Sequence, residues 1–138
     1  MYILLDTSSP EYFTLALVKP DGTWRAHQKV VSHFAQSEKL LPHLDKLMKK
    51  FRLTTEQVSG IFVVAGPGGF TSLRIGVMTA NTLGFAWKKP VFPIRADGYD
   101  ARSGVRPSLV SKLNKARLNS QVRPQYGRPP HITKPKRR

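Results

Sequence analysis

Residues 61–76 read Ile61-Phe62-Val63-Val64-Ala65-Gly66-Pro67-Gly68-Gly69-Phe70-Thr71-Ser72-Leu73-Arg74-Ile75-Gly76. Five apolar residues closed by a glycine-proline turn are the pattern of a buried strand. From Phe70 the spacing becomes helical and holds to about Trp87, where Lys88, Lys89 and Pro90 supply a basic end and a stop. The loop Gly66-Pro67-Gly68-Gly69 between them has two readings. Free amides at a helix start can hold an anion. Yet no lysine follows as in G-x-x-x-x-G-K-[ST], the spacing is not G-x-G-x-x-G, and Pro67 removes an amide. A tight strand-to-helix turn is the plainer reading, with the phosphate loop as its alternative.

Upstream, Tyr2 to Leu5 is another apolar run, closed by Asp6-Thr7-Ser8-Ser9-Pro10. Tyr12 to Lys19 alternates, with Phe13, Leu15 and Leu17 on one face. Pro20-Asp21-Gly22 is a turn, because proline presets the first dihedral and glycine accepts a positive one. Thr23 to Val31 then alternates again, completing a three-stranded unit. Leu40, Leu44, Leu47 and Phe51 form a helical stripe widened by Leu41 and Met48, with Ser37 as the expected N-cap. Pro42 either kinks that helix or marks its first turn. Thr54 to Val58 reads as a short helix, and Val91 to Ile94 as a last strand. The order β-β-β-α-β-α, with Val91 to Ile94 as a closing strand, is that of an α/β fold with a mixed sheet covered by helices.

Ser72, Gly76, Ala80 and Gly84 recur every four residues, so one face of the second helix carries only small side chains. Such a strip lets another element approach closely. The approaching element is either the chain's own helix near Leu44 or a helix of a partner protein.

The 138 residues carry 23 Lys+Arg against 8 Asp+Glu, a net charge of +15, and no cysteine. Disulfides, thiolate metal sites and cysteine nucleophiles are thereby excluded. No apolar run approaches the ~20 residues of a membrane span. Met1-Tyr2 leads directly into the first strand without a secretory pattern, so cytoplasmic residence is expected. The charge is uneven. Residues 93–138 hold 12 Lys+Arg, 2 Asp+Glu and 6 of the 11 prolines. Too little apolar surface is present there to offset the ordering entropy of an independent core. This division makes 1–94 the folded lobe, 95–123 a basic linker with one short helix near Ser108 to Leu118, and 124–138 a basic, largely extended tail. In the tail Arg123, Arg128, Lys134, Lys136, Arg137 and Arg138 surround Tyr126 and His131, a mixture of charge and ring faces suited to RNA. A solvated end with no dedicated ligand is the alternative.

Catalytic signals are sparse. Asp6, Thr7 and Ser8 could hold a metal–phosphate, although such residues more often cap a turn. His27, His33, His43 and His131 show no ligand spacing, and no Ser-His-Asp set has local support.

Three segments together are more specific than any one: Ile3-Leu4-Leu5-Asp6-Thr7-Ser8, Ser37-Glu38-Lys39-Leu40-Leu41-Pro42, and Gly66 to Gly76. The combination resembles the TsaB (YeaZ) family, the non-catalytic partner in bacterial tRNA threonylcarbamoyladenosine synthesis. The resemblance covers 1 to about 94 and resumes at Pro124-Gln125-Tyr126-Gly127-Arg128, similar to that family's P-x-Y-x-R ending. Gly69 and Ser72 depart from the usual GPGSFTGLRIG, and Gln36 stands where many members have histidine. Residues 95–123 occupy the place of a whole second lobe, so the chain reads as an internally shortened member.

The resemblance implies one actin/Hsp70-like (ASKHA) lobe and an accessory, non-enzymatic subunit that binds the catalytic paralogue TsaD, with TsaE in the same pathway. It implies no cofactor of its own, ATP and metal being expected on the partner. It makes Ser37, Leu40, Leu41, Leu44, Leu47, Met48, Ser72, Gly76, Ala80 and Gly84 the candidate interface. Gly66, Pro67, Gly68, Gly69, Phe70, Thr71 and Arg74 become the family's glycine-rich loop. Arg123, Tyr126, Arg128 and the final basic residues are candidate tRNA contacts. A homodimer built on the same helices, an independent RNA-binding protein and a vestigial remnant are the rival expectations. No membrane contact is expected.

Overall fold

The computed structural model describes residues 1–118 and 121–126. Five strands, β1 (Tyr2–Asp6), β2 (Tyr12–Val18), β3 (Trp24–Val31), β4 (Gly60–Gly66) and β5 (Val91–Arg95), form one mixed sheet in the order β3-β2-β1-β4-β5. The first three strands are an antiparallel meander, as the alternation and the Pro20-Asp21-Gly22 turn require. β4 then runs parallel to β1, with Ile3 opposite Ile61, and β5 parallel to β4. Parallel neighbours need crossovers. Helix α1 (Gln36–Lys50) and a single 3₁₀ turn (Thr55–Gln57) precede β4, and helix α2 (Phe70–Trp87) links β4 to β5. The β-β-β-α-β-α order and the closing strand are therefore as read from the sequence.

Both helices lie on one face of the sheet. Their Leu40, Leu44, Leu47, Met48, Val77 and Ala80 pack on Ile3, Leu5, Phe13, Leu15, Ile61 and Val63. β3 is an edge strand with one face in water, and its residues alternate between half-buried and exposed.

α1 differs from expectation at its start. It begins at Gln36, with Ala35 at the N-cap and no side-chain cap, so Ser37 is an exposed first-turn residue and not the N-cap. The reason is Gln36. Its buried side-chain amide donates from Nε2 to the Ser9 carbonyl at 2.7 Å, tying the first residue of the helix to the β1–β2 turn. Pro42 sits within the helix on its exposed side, where the Glu38 carbonyl that loses its donor can turn to water.

The larger difference lies beyond β5. Residues 95–114, the first part of the expected linker, form a ribbon of β6 (Tyr99–Asp100) and β7 (Gly104–Val105) and a helix α3 (Pro107–Asn114), the last close to the short helix expected near Ser108 to Leu118. These cover the second face of the sheet. Val105, Val110 and Leu113 pack with Tyr2, Leu4, Ala16, Val18, Phe62, Val64 and Ile94 in a second core. Polar anchors fix the layer. Tyr2 Oη donates to Asn114 Oδ1, Trp24 Nε1 donates to the Ala101 carbonyl at 3.1 Å, and the Val105 amide donates to the Gly22 carbonyl at 2.7 Å. Gly22 has φ +91°, and a Cβ there would meet the Val105 carbonyl oxygen, so this position admits only glycine. The segment is poor in apolar residues because most of its core is supplied by the sheet.

If α3 is structural, Leu113→Ala should lower the urea unfolding free energy by roughly 2–5 kcal/mol. An exposed change one residue earlier, Lys112→Ala, should leave it within about 0.5 kcal/mol.

Candidate functional site

The turn after β1 meets the loop before α2 through close backbone contacts. Thr7 is fully buried. Its Oγ1 donates to the Ser72 carbonyl at 2.5 Å and accepts from the Gly76 amide at 3.1 Å. These are the two groups that an uninterrupted helix would join to each other, so the hydroxyl is wedged into the first turns of α2. Only glycine fits opposite, because a Cβ on residue 76 would lie 2.3 Å from Thr7 Oγ1. The loop itself folds onto the same turn. The Gly69 amide donates to the Ser8 carbonyl at 2.9 Å, and a Cβ on Gly68 would lie 2.6 Å from that oxygen. Gly66 has φ +149° and abuts the Gln125 carbonyl. Gly66, Pro67, Gly68 and Gly69 thus form the tight strand-to-helix turn, its contacts made to protein backbone.

Asp6 lies at the centre of this region and is 8% exposed. Its Oδ1 accepts from the Ser8 amide at 2.9 Å and the Ser8 hydroxyl at 2.6 Å. Its Oδ2 accepts from the Tyr99 hydroxyl at 2.5 Å. Tyr99 comes from β6, in the second layer, and its ring meets Trp24 edge-on at 5.8 Å. Burial, and then the Asp6 charge, push the phenol well above its ordinary pKa. Both carboxylate oxygens are engaged within the chain, so Asp6 acts as an acceptor that fastens the layer to the sheet. No local pattern marks this pairing, since Tyr99 lies 93 residues away in the stretch expected to be linker.

The expected interface is largely inside the protein. Ser72, Gly76, Ala80 and Gly84 are all buried and seat α2 on the sheet. A Cβ at Gly84 would lie 2.3 Å from Val91 Cγ2. The small-residue strip serves approach to the chain's own strands, neither to the helix near Leu44 nor to a partner. Leu40, Leu44, Leu47 and Met48 are likewise core residues. Of the ten candidate residues, Ser37 and Leu41 alone are exposed.

The outward surface of the two helices uses other side chains. Leu41 is 50%, Met78 62% and Phe85 73% exposed. A shallow groove of about 180 Å³ lies between α1 and α2, lined by Leu41, Met78, Thr79, Thr82 and Leu83. Phe70, Thr71 and Arg74, in the first turns of α2, are exposed as well. The signal for this face was present in the sequence. Met78 and Phe85 are seven residues apart, on the side of the helix away from the small-residue strip.

Residues 121–126 return to the lobe. Val122 is buried, and its backbone is held by Asn81: Nδ2 donates to the Val122 carbonyl at 2.9 Å, and the Val122 amide donates to Oδ1 at 3.0 Å. The Gln125 amide donates to the Ala65 carbonyl at 2.6 Å. Tyr126 stacks on Phe70 with centroids 4.1 Å apart. One of its ring faces is therefore taken up by Phe70. Arg123 is exposed, whereas Arg128, Lys134, Lys136, Arg137 and Arg138 lie outside the described residues.

Two measurements check these contacts. Gly76→Leu should destabilise the isolated chain by roughly 1–3 kcal/mol or more, because it overpacks the Thr7 wedge. Tyr99 is neutral in the folded state at a pH where the unfolded phenol ionises, so the folded state holds more protons above about pH 10 and its stability falls as pH rises there. Tyr99→Phe should flatten that alkaline fall in Tm relative to the parent chain.

Comparison with known proteins gives these features a context. The family profile described as "TsaD: tRNA N6-adenosine threonylcarbamoyltransferase" matches residues 29–96. The tRNA N6-adenosine threonylcarbamoyltransferase of Persephonella marina is 32% identical over 77 residues, covering 56% of this chain and 20% of that protein. The tRNA threonylcarbamoyladenosine biosynthesis protein TsaB of Haemophilus influenzae is 29% identical over 92 residues, 67% of this chain and 38% of that protein. Among solved structures, YeaZ from Pseudomonas aeruginosa superposes with a TM-score of 0.61 at 30% identity, covering 69% of this chain and 44% of that one. The chain spans less than half the length of each of these relatives. Motifs, strand order and structural likeness agree that the chain is TsaB (YeaZ)-like and that its lobe has the actin/Hsp70-like fold.

Proposed function

We propose that the chain is a non-catalytic accessory subunit that docks a TsaD-like catalytic protein in the cytoplasm and so supports threonylcarbamoyl transfer to tRNA adenosine. The observation that carries this reading is the apolar outward face of α1 and α2, with Leu41, Met78 and Phe85 in water. Covering that face would remove apolar area at little polar cost. Its two threonine hydroxyls are already bonded within α2, Thr79 Oγ1 to the Ile75 carbonyl at 2.7 Å and Thr82 Oγ1 to the Met78 carbonyl at 2.8 Å. A partner helix seated in the groove would leave no buried hydroxyl unsatisfied. The match to both TsaB-named and TsaD-named relatives supports the pairing of these two families in one pathway. ATP, metal and the reaction itself would belong to the partner, because both Asp6 oxygens are committed to Ser8 and Tyr99. TsaE would act in the same pathway, and contact with tRNA through the basic tail would be auxiliary.

The test is co-elution with the TsaD-like protein of the same organism. Met78→Asp and Phe85→Asp should each weaken the complex at least about tenfold while leaving Tm nearly unchanged, since both side chains are exposed and make no core contact. Undiminished binding by both variants overturns the docking face. A parent chain that ignores the partner and forms a dimer broken by the same changes replaces this reading with a homodimer. The isolated chain should not turn over ATP, and an ATPase abolished by Asp6→Ala would overturn the accessory role.

A further inference from the structure

The layer beyond β5 creates a surface that the docking face does not use. Between the edge strand β5 and helix α3 runs a trough of about 400 Å³. Phe92 and Pro93 form its floor on the strand side. Arg106 at the N-cap of α3 and Leu109 and Lys112 within it recur every three residues, and all three line the trough. Arg95 closes one end. The rings and aliphatic carbons are half-buried, whereas the three cationic side chains are exposed. Phe92 is held edge-on against Phe62, with ring centroids 6.5 Å apart, so its position is set by the core.

The charges are unequal in their partners. Arg95 pairs with Asp97 through Nε at 3.1 Å. Among the described residues neither Arg106 nor Lys112 has a carboxylate partner. They stand about 9 Å apart along the helix axis, at 1.5 Å per residue. On the far side of Arg106 a neighbouring cavity is lined by Asp21 and Asp100, which would repel phosphate, and Asp97, which lines both that cavity and the Arg95 end of the trough, has its charge offset by Arg95. That acidic border leaves a track running from Arg106 past Leu109 to Lys112. Two free cations beside a flat apolar floor are the elements that single-stranded nucleic acid requires, with phosphates on the charges and a base on the ring.

We propose that the trough between β5 and α3 binds single-stranded RNA, with successive phosphates on Arg106 and Lys112 and a base against Phe92, Pro93 and Leu109. The trough lies on the face of the sheet opposite α1 and α2, so the lobe can hold RNA and a protein partner together. The site does not depend on the docking reading, and its binding is measured on the chain alone.

The experiment is fluorescence anisotropy of a labelled single-stranded RNA of about 12 nucleotides, within the usual site sizes of such proteins. Affinity should fall steeply between about 50 and 200 mM salt. Arg106→Ala combined with Lys112→Ala should weaken binding roughly tenfold and reduce the salt slope by about 1.4. Lys46→Ala with Lys50→Ala, an equal change of charge on the opposite face, should cost less than about twofold. A chain ending at Tyr126 should keep the same sensitivity to the Arg106 and Lys112 changes. Equal loss from both pairs would overturn the site in favour of a diffuse field. Loss of all binding on truncation, with no effect of Arg106 or Lys112, would overturn it in favour of the tail. Displacement of the strand by AMP at comparable concentration would overturn it in favour of a free-nucleotide pocket.

Discussion

Strands β1 and β4 present apolar side chains to both sides of the sheet, so neither side can be left to water. Ile3, Leu5, Ile61 and Val63 point to one core, and Leu4, Phe62 and Val64 to the other. Unbroken apolar runs of this kind belong to strands covered twice. The first cover is the pair of crossover helices that parallel pairing demands. The second is the ribbon and helix that follow β5. The apolar side chains Val105, Val110 and Leu113 of the second layer are buried against atoms the sheet already offers, which is how a segment poor in apolar residues becomes ordered.

Close approach on the helical side depends on what is missing from side chains. Gly76 and Gly84 bring α2 within touching distance of Thr7 and Val91, and the hydroxyl of Thr7 takes the place of a bond inside the helix. With its small residues facing the strands, α2 must turn Met78 and Phe85 outward. The apolar surface available to a partner is thus a by-product of how the helix is seated. The profile match over 29–96 covers this same crossover.

The sequence was legible where periodicity was strong. The apolar runs, the turn at Pro20-Asp21-Gly22 and the stop after Trp87 placed every strand of the main sheet and both long helices. Two kinds of feature were harder. The four-residue spacing from Ser72 to Gly84 marked a face made for intimacy, but spacing says nothing about whether a sheet or another protein comes near. In the layer from Tyr99 to Leu113 the helix was legible near Ser108, but the ribbon and the burial of both against the sheet were hidden because composition measures what a segment can bury alone. The continuous apolar character of 61–65 held the clue, since a strand without a polar side has to be covered on both. Ser37 failed as a cap for a local reason, the hold of Gln36 on the Ser9 carbonyl.

Asn81 imitates a strand neighbour with a single side chain. Its amide offers one donor and one acceptor to Val122, the same pair that a facing peptide would offer. A lone clasp of this sort fixes sliding as well as distance: a shift of one residue would break both bonds together and pull Val122 out of the core. The chain is thereby delivered in a single registration to Phe70, so Tyr126 is held against the first turn of α2.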